Sequence, residues 1–323
     1  MTTRRRFLQL SGAALTAASM PQLASAQQWP TRPIRAIVPF SAGSTTDVVG
    51  RIVLETLSAA IGQPIVVENR GGAGGTIGSA LVAKAEPDGY TILIHAAAHS
   101  AAPAAYPNVP YHAGRDFSGV VLFGVVPNVT VISPAKGIKT LKELVEAARK
   151  GSMTFASAGI GSATHWAAER LRLSAGFNAV HVPFKGGPEA LIDVATGRVD
   201  FMCTGITSGL PFIRGGRLIP LAVSTPKRSS ILPDVPTTIE AGYPDSDYTF
   251  WNGMLVPAKT PRALVNRLHA ETLKVLQQPS VIEKLKAQGI EPLPLKPAEI
   301  DAMIAKEIGN NLAIVKAAGL KFN

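Results

Sequence analysis

An apolar run, a glycine-bearing turn and an apolar-faced helix recur in that order along this chain, which restricts it to stacked strand–helix units. The first instance lies at residues 34–61. Ile34, Ala36, Ile37 and Val38 read as a buried strand that Pro39 stops. Phe40-Ser41-Ala42-Gly43-Ser44 is too small and polar for core. Apolar residues then return at Val48/Val49, Ile52/Val53, Leu57 and Ile61, the spacing of one helical face. Ser44 and Asp47 have the spacing of a capping box. The free amides and dipole of such a helix start attract anions. The turn therefore reads as half of a clamp for a small carboxylate.

The unit repeats. Residues 64–68 and 91–95 read as strands, and strands alternating with helical patterns predict a mainly parallel sheet. Between them, residues 69–78 are the most glycine-dense stretch. Ile77 stands where a G-x-G-x-x-G begun at Gly72 needs its third glycine, and no Gly-Lys-Ser/Thr follows, so neither nucleotide loop is present. The stretch reads as a tight turn whose helix packs through its glycines, with direct ligand contact as the alternative. In the second half, residues 153–157 form a strand, Ala158-Gly159-Ile160-Gly161 a turn, and residues 162–175 a helix with Ser162, Thr164 and His165 in its first turn. Residues 179–183 form a strand before the turn Phe184-Lys185-Gly186-Gly187, and Pro188 suits the start of the helix that Gly197 ends. Residues 199–203 are another strand, followed by a small-residue loop at 204–209. Ligands in open α/β sheets gather at the carboxyl ends of strands, where all these loops lie.

The chain crosses between two domains near Pro127-Asn128, and the aromatic stretch 248–257 reads as the return. The expected division is a leader at 1–26, a first domain at 27–127 plus 250–323, and a second at 128–249. Arg4, Arg5 and Arg6 with Phe7-Leu8, an apolar stretch and Ala24-Ser25-Ala26 read as a twin-arginine export signal cleaved after Ala26. That places the mature chain in a bacterial periplasm. Its apolar run is shorter than the roughly 20 residues a membrane span needs.

Composition narrows the function. With 46% hydrophobic and 17% charged residues, 323 residues suffice for two packed domains. One cysteine, Cys203, excludes an internal disulfide and a cysteine-rich metal site. The net charge of +10 includes the three leader arginines; without them 29 basic residues face 22 acidic ones, a surplus of 7. The surplus suits an anionic ligand, and without a basic cluster interleaved with aromatics no nucleic acid is expected. His95 and His99 are four apart, but the glutamate of H-E-x-x-H is missing, so His95 reads as a loop histidine bordering the cleft and no metal or cofactor is expected.

Taken together, these stretches resemble the substrate-binding proteins of tripartite tricarboxylate transporters, the TctC or Bug (Bordetella uptake gene) family. The resemblance is carried by Pro39-Phe40-Ser41-Ala42-Gly43 through Asp47, Glu68-Asn69-Arg70-Gly71-Gly72-Ala73-Gly74-Gly75, Pro87-Asp88-Gly89-Tyr90-Thr91, Pro110-Tyr111 and Asp116-Phe117. It continues in Ala158-Gly159-Ile160-Gly161-Ser162, His181-Val182-Pro183-Phe184-Lys185-Gly186, Leu232-Pro233-Asp234-Val235-Pro236-Thr237 and Trp251-Asn252-Gly253. It implies an α/β, two-domain periplasmic-binding-protein fold (type II, Venus-flytrap) and a membrane permease with a large and a small subunit. It also implies a carboxylate held by amides and waters of one loop per domain: Phe40, Ser41, Ala42, Gly43, Ser44 and Thr45, and Phe184, Lys185, Gly186 and Gly187, with Ser162 and Thr164 beside them. Ser44, Phe184 and Ser162 depart from the glycine, tyrosine and threonine usual in such proteins.

Amides converging on a carboxylate make a side-chain cation dispensable, so Lys185 is either a contact or a solvated charge. Asp47 reads as a helix cap, or as the partner of a ligand amine. A monomer is expected. Two alternatives remain: a sensor subunit that presents ligand to a membrane histidine kinase, and a periplasmic hydrolase. The second is disfavoured, because there is no G-x-S-x-G elbow and no third member ordering His165 with Ser162 or Ser41.

Overall fold

The computed structural model describes residues 29–318; the export signal read at 1–26 lies outside the described residues. Ten strands form two five-stranded sheets of the same design. The first sheet holds β1 (Ile34–Val38), β2 (Ile65–Asn69), β3 (Thr91–Ala96), β4 (Phe117–Val126) and β10 (Phe250–Pro257), in the order β2-β1-β3-β10-β4. The second holds β5 (Asn128–Ile132), β6 (Met153–Ser157), β7 (Ala179–Pro183), β8 (Phe201–Gly205) and β9 (Ile219–Val223), in the order β7-β6-β8-β5-β9. The chain passes from one sheet to the other at Pro127 and returns after β9 into β10.

The sheets are mixed, which corrects the expectation of mainly parallel ones. Three strands in each are joined by crossover helices and pair in parallel, β2-β1-β3 and β7-β6-β8. The strands by which the chain crosses, β5 and β10, lack that constraint and run antiparallel to both neighbours.

Local chemistry sets the helices. In α1 (Thr45–Ile61) the Asp47 amide donates to Ser44 Oγ at 3.4 Å, Val49, Val53 and Leu57 are buried at four-residue spacing, and Gly62 ends the helix in a left-handed conformation. α2 (Thr76–Ala83) and α3 (Ala98–Ala105) follow β2 and β3. In the second lobe α4 (Leu141–Lys150) lies between β5 and β6, and α5 (Ala163–Ala175) repeats the pattern of α1: Ser162 caps it through the His165 amide at 3.3 Å, and Gly176 ends it. α6 (Gly187–Ala195) and α7 (Ile206–Arg214) complete that lobe. α8 (Arg262–Leu276), α9 (Pro279–Ala287) and α10 (Pro297–Ala318) pack on the first sheet and its helices, α10 against α3 and β4.

Two helices depart from the sequence reading. Residues expected as the loop 204–209 run straight from β8 into α7, and α3 forms despite Pro103. In α7 the buried pair Ile206 and Leu210 outweighs Gly209 and Pro211. Glycine density at 71–75 has a tertiary cause. A Cβ on Gly74 would lie 2.0 Å from the Ile160 carbonyl oxygen of the other lobe, so only glycine permits that approach. The helix does pack through a glycine as well, Gly78 against Pro39.

Candidate ligand-binding cleft

The carboxyl ends of β1, β3, β6 and β8 open toward a single space between the two sheets. A cavity of about 30 Å³ is lined there by Phe40, Ser44, Thr45, Thr46, Ala96, Ala158, Ser162, Ala163, Thr164, Gly187, Thr204, Ser208 and Phe250. One water centre needs roughly 10–15 Å³, so the space matches one small polar group. Seven of the lining side chains carry hydroxyls and none is charged. First-turn residues of four helices reach it: Thr45 and Thr46 of α1, Ala163 and Thr164 of α5, Gly187 of α6, and Ser208 of α7. Amides at these positions have no intrahelical acceptor, and each helix directs its positive end the same way. An anion is the species this arrangement stabilises, without a side-chain cation.

The lobes meet around the cavity. Phe40 packs with Ala98 and Ala158. Thr45 Oγ1 and Ser208 Oγ are 2.9 Å apart, and Ser208 also donates to the Gly43 carbonyl at 3.3 Å. Ser41 Oγ donates to Glu189 Oε1 at 3.0 Å, and Tyr106 donates to the Ile160 carbonyl at 3.1 Å. A wider chamber of about 490 Å³ is lined by Gly72, Ala73, Tyr106, Gly159, Ile160, Pro183, Phe184, Lys185 and Glu189.

The twelve residues singled out from the sequence divide accordingly. Phe40, Ser44, Thr45, Ser162, Thr164 and Gly187 line the inner cavity, while Phe184 and Lys185 line the wider chamber. Ser41, Ala42, Gly43 and Gly186 line neither; Gly186 lies against Ser41 and Gly43 near Pro188 where the loops touch, while Ala42 is exposed. The Gly43 amide is committed to Asp47 Oδ2 at 2.9 Å, and the Ser44 amide to the Ser41 carbonyl at 3.1 Å. Asp47 is buried and fully engaged, since its Oδ1 accepts from Arg51 Nε and Asn69 Nδ2, each at 2.9 Å. The same Asn69 amide group donates to the Phe40 carbonyl at 2.9 Å. Asp47 and Asn69 thus brace the turn from behind. Thr46, Ala96, Ala163 and Phe250 were not anticipated, whereas Ala158, Thr204 and Ser208 belong to turns expected at the carboxyl ends of strands without being singled out.

His95 is not a loop histidine at the cleft, which corrects that expectation. It lies inside β3 and is 1% exposed, with Phe40 on one side and His99 on the other at ring-centroid distances of 5.7 and 5.3 Å. Burial pushes His95 well below its ordinary value, aided by His99, and pushes His99 down to about 4. Burial likewise raises the Cys203 thiol to about 12, which removes it as a nucleophile. The His165 ring accepts the Gly161 amide at Nδ1, 3.1 Å away, rather than facing a hydroxyl as a hydrolytic base would. Among the described residues no group of three or more His, Cys, Asp or Glu is placed to hold a metal, and no helix is long and apolar enough to cross a membrane.

Two mixed α/β lobes closing on an uncharged, hydroxyl-lined cavity define a two-domain periplasmic-binding-protein fold of the type II, Venus-flytrap class. Residues 49–320 match the tripartite tricarboxylate transporter family receptor, TctC, and the chain belongs to that family of periplasmic solute-binding proteins. It is 35% identical to the protein BugT of Bordetella pertussis, over 98% of both chains. MatC from Rhodopseudomonas palustris, solved with bound malate, superposes with a TM-score of 0.84 at 31% identity, covering 89% of this chain and 100% of MatC. R. palustris Rpa4515, solved with adipate, gives 0.86 at 32% identity, covering 90% of this chain and 98% of that one.

Proposed function

We propose that this protein captures a small carboxylate between its two lobes in the periplasm and delivers it to a membrane permease of a large and a small subunit. The observation that carries the reading is the convergence of four helix starts on a cavity lined by hydroxyls and no charge. Amides fixed by the fold donate charge-assisted bonds to a carboxylate, each roughly twice as strong as a neutral one. Malate and adipate in the two related structures supply the ligand class. Lobe boundaries at 127/128 and 249/250 place the moving parts on the two crossing segments. In this reading Thr45, Thr46, Ser162, Thr164 and Ser208 face the inner carboxylate, and the wider chamber beside Lys185 and Phe184 takes the remainder of the molecule.

The test is thermal denaturation of the purified protein against a panel of mono-, di- and tricarboxylates that includes malate and adipate, followed by calorimetry on any hit. A ligand at about 100 times its Kd raises stability by about 2.7 kcal/mol, which shows as a shift of several degrees. A panel in which no carboxylate shifts the transition defeats the reading.

A further inference from the structure

The second-lobe wall of the cavity, residues 157–162, is braced from behind by two histidines. His165 is the third residue of α5 and His181 the middle of β7. Their rings stack with centroids 4.0 Å apart and 11° between planes. Phe155 of β6 stacks on the pair, 4.7 Å from His181 and 6.0 Å from His165.

Each ring reaches the turn. His165 Nδ1 accepts the Gly161 amide, so the hydrogen of the neutral ring sits on Nε2, which faces Glu169 Oε1 at 3.9 Å. His181 Nε2 is 2.6 Å from Ser157 Oγ, which donates to the Gly159 carbonyl at 3.1 Å and accepts the Gly159 amide at 3.0 Å. The Ser157 carbonyl accepts the Phe184 amide at 2.9 Å, which ties the next loop to the same post. Downstream, Ser162 and Thr164 share a 3.0 Å hydrogen bond, and Thr164 Oγ1 accepts the Ala158 amide at 2.9 Å.

We propose, resting on the reading of this cavity as the ligand site, that His165 and His181 are positioning residues for it. As neutral stacked rings they fix the 157–162 turn, and a proton on His165 Nδ1 releases the Gly161 amide and loosens the ligand's second-lobe contacts. A proton there turns an acceptor into a donor facing a donor. The groups around the pair are Phe155 and Ser157 on β6 and Glu169 and Arg172 on α5. Only Glu169 favours a cation, and it is already paired with Arg172 at 2.8 Å. Burial pushes His165 down to about 3 and His181 to about 4, with the charges of His181 and Arg172 adding to the effect on His165. Both rings are therefore neutral near neutral pH.

The test is site-resolved amide hydrogen exchange on the purified protein, with calorimetric binding of malate and adipate alongside. His165→Asn keeps an acceptor oxygen near the Nδ1 position and His165→Phe has none. Near neutral pH the Gly161 amide should be protected in the wild type and in H165N, and at least about tenfold less protected in H165F, the equivalent of one lost hydrogen bond. Acidifying the wild type below neutral should lower Gly161 protection by more than it lowers that of the β3 amides, and this excess loss should be absent in H165N. Affinity for whichever acid the wild type binds should fall about tenfold in H165F and be largely kept in H165N. Equal Gly161 protection in H165F and wild type overturns the proposal, as does a wild-type value that stays flat on acidification, whether or not an acid binds. A wild type that binds neither acid, nor any other carboxylate, overturns the reading of the cavity instead.

Discussion

Ser41, in the turn after β1, hydrogen-bonds across the cleft to Glu189, in the first turn of α6, with 3.0 Å to one carboxylate oxygen and 3.3 Å to the other. The bond joins the two lobes at the rim and makes no contact with the inner cavity. It is partly exposed, so its net worth is about 1 kcal/mol. Ser41→Ala should therefore shift a ligand-free open–closed equilibrium about fivefold toward open. Small-angle scattering of the apo protein should show a larger radius of gyration in S41A, and stopped-flow measurements a faster ligand release. An unchanged radius and release rate would remove the pair as a latch.

Glu189 also places a negative charge on the lining of the wider chamber, which the proposed anionic ligand would meet on entry. Glu189→Gln keeps an acceptor for Ser41 and removes the charge. The association rate for a dicarboxylate should rise a few-fold at low salt, and the gain should shrink as ionic strength screens it over a Debye length of about 10 Å at 0.1 M. A rate that is unchanged at low salt contradicts this role.

Gly43 sits at φ +76 with its amide held by Asp47, and a Cβ there would lie 3.6 Å from Pro188 of the other lobe. Gly43→Asp adds a left-handed backbone cost of about 1 kcal/mol and a second carboxylate close to Asp47 and the cavity. Carboxylate binding should be abolished in G43D. In Gly43→Ala, which carries the backbone cost alone, it should fall by no more than about tenfold. Unchanged affinity in G43D would take the turn out of the site.

The parts of the site that were legible in the sequence are those encoded within one turn of helix. Ser44 with Asp47 and Ser162 with His165 announce two helix starts over three residues, and the cavity does take Thr45 and Thr164 from them. The resemblance to a binding-protein family added the lobes. What escaped was set by register between distant strands. Ala96 is opposite Asn252 and Val126 opposite Phe250, pairings that bring Ala96 and Phe250 beneath the same cavity with no local pattern to mark them. Ser208 lies at the strand end where ligands were expected, but in a helix that Gly209 and Pro211 make read as a loop. His95 and His99 misled for a related reason: polar rings spaced four apart suggest a rim, yet an edge-to-face chain through Phe40 and Phe117 buries them. Placement was equally illegible at Lys185, which lines the wider chamber and not the inner cavity.

Glu307 of α10 is a half-buried acid that accepts from Ser100 Oγ at 2.6 Å and Trp251 Nε1 at 2.9 Å, and desolvation raises it above its ordinary value. Glu307→Gln keeps an acceptor oxygen and should change stability by less than about 1 kcal/mol. Glu307→Ala strands the buried indole N–H and opens a void, at a cost of about 2–4 kcal/mol. Urea denaturation of both variants separates the outcomes; an alanine variant as stable as the glutamine one would show that the carboxyl organises nothing.

Three buried histidines and the half-buried His181 give the fold a common acid weakness. His95, His99, His165 and His181 are all held below the ordinary value of 6.5 by burial, with about 4, 3 and 4 for the last three. The unfolded chain therefore takes up protons below pH 6.5 that the folded chain refuses, and stability rises with pH across that window. The contribution is fully present above 6.5 and is lost as pH falls toward the folded values, by about 1.4 kcal/mol per group for each unit of displacement. Asp301 and Glu307, raised by burial, act in the opposite sense and stabilise on acidification; two acids offset only part of four histidines. The urea midpoint should accordingly fall steadily from pH 6.5 to 4. His99→Gln, which keeps a donor for the Ala113 carbonyl now 2.9 Å from Nε2, should flatten the slope by one group's share. A midpoint that holds constant across the window would mean that these rings are already charged in the folded protein.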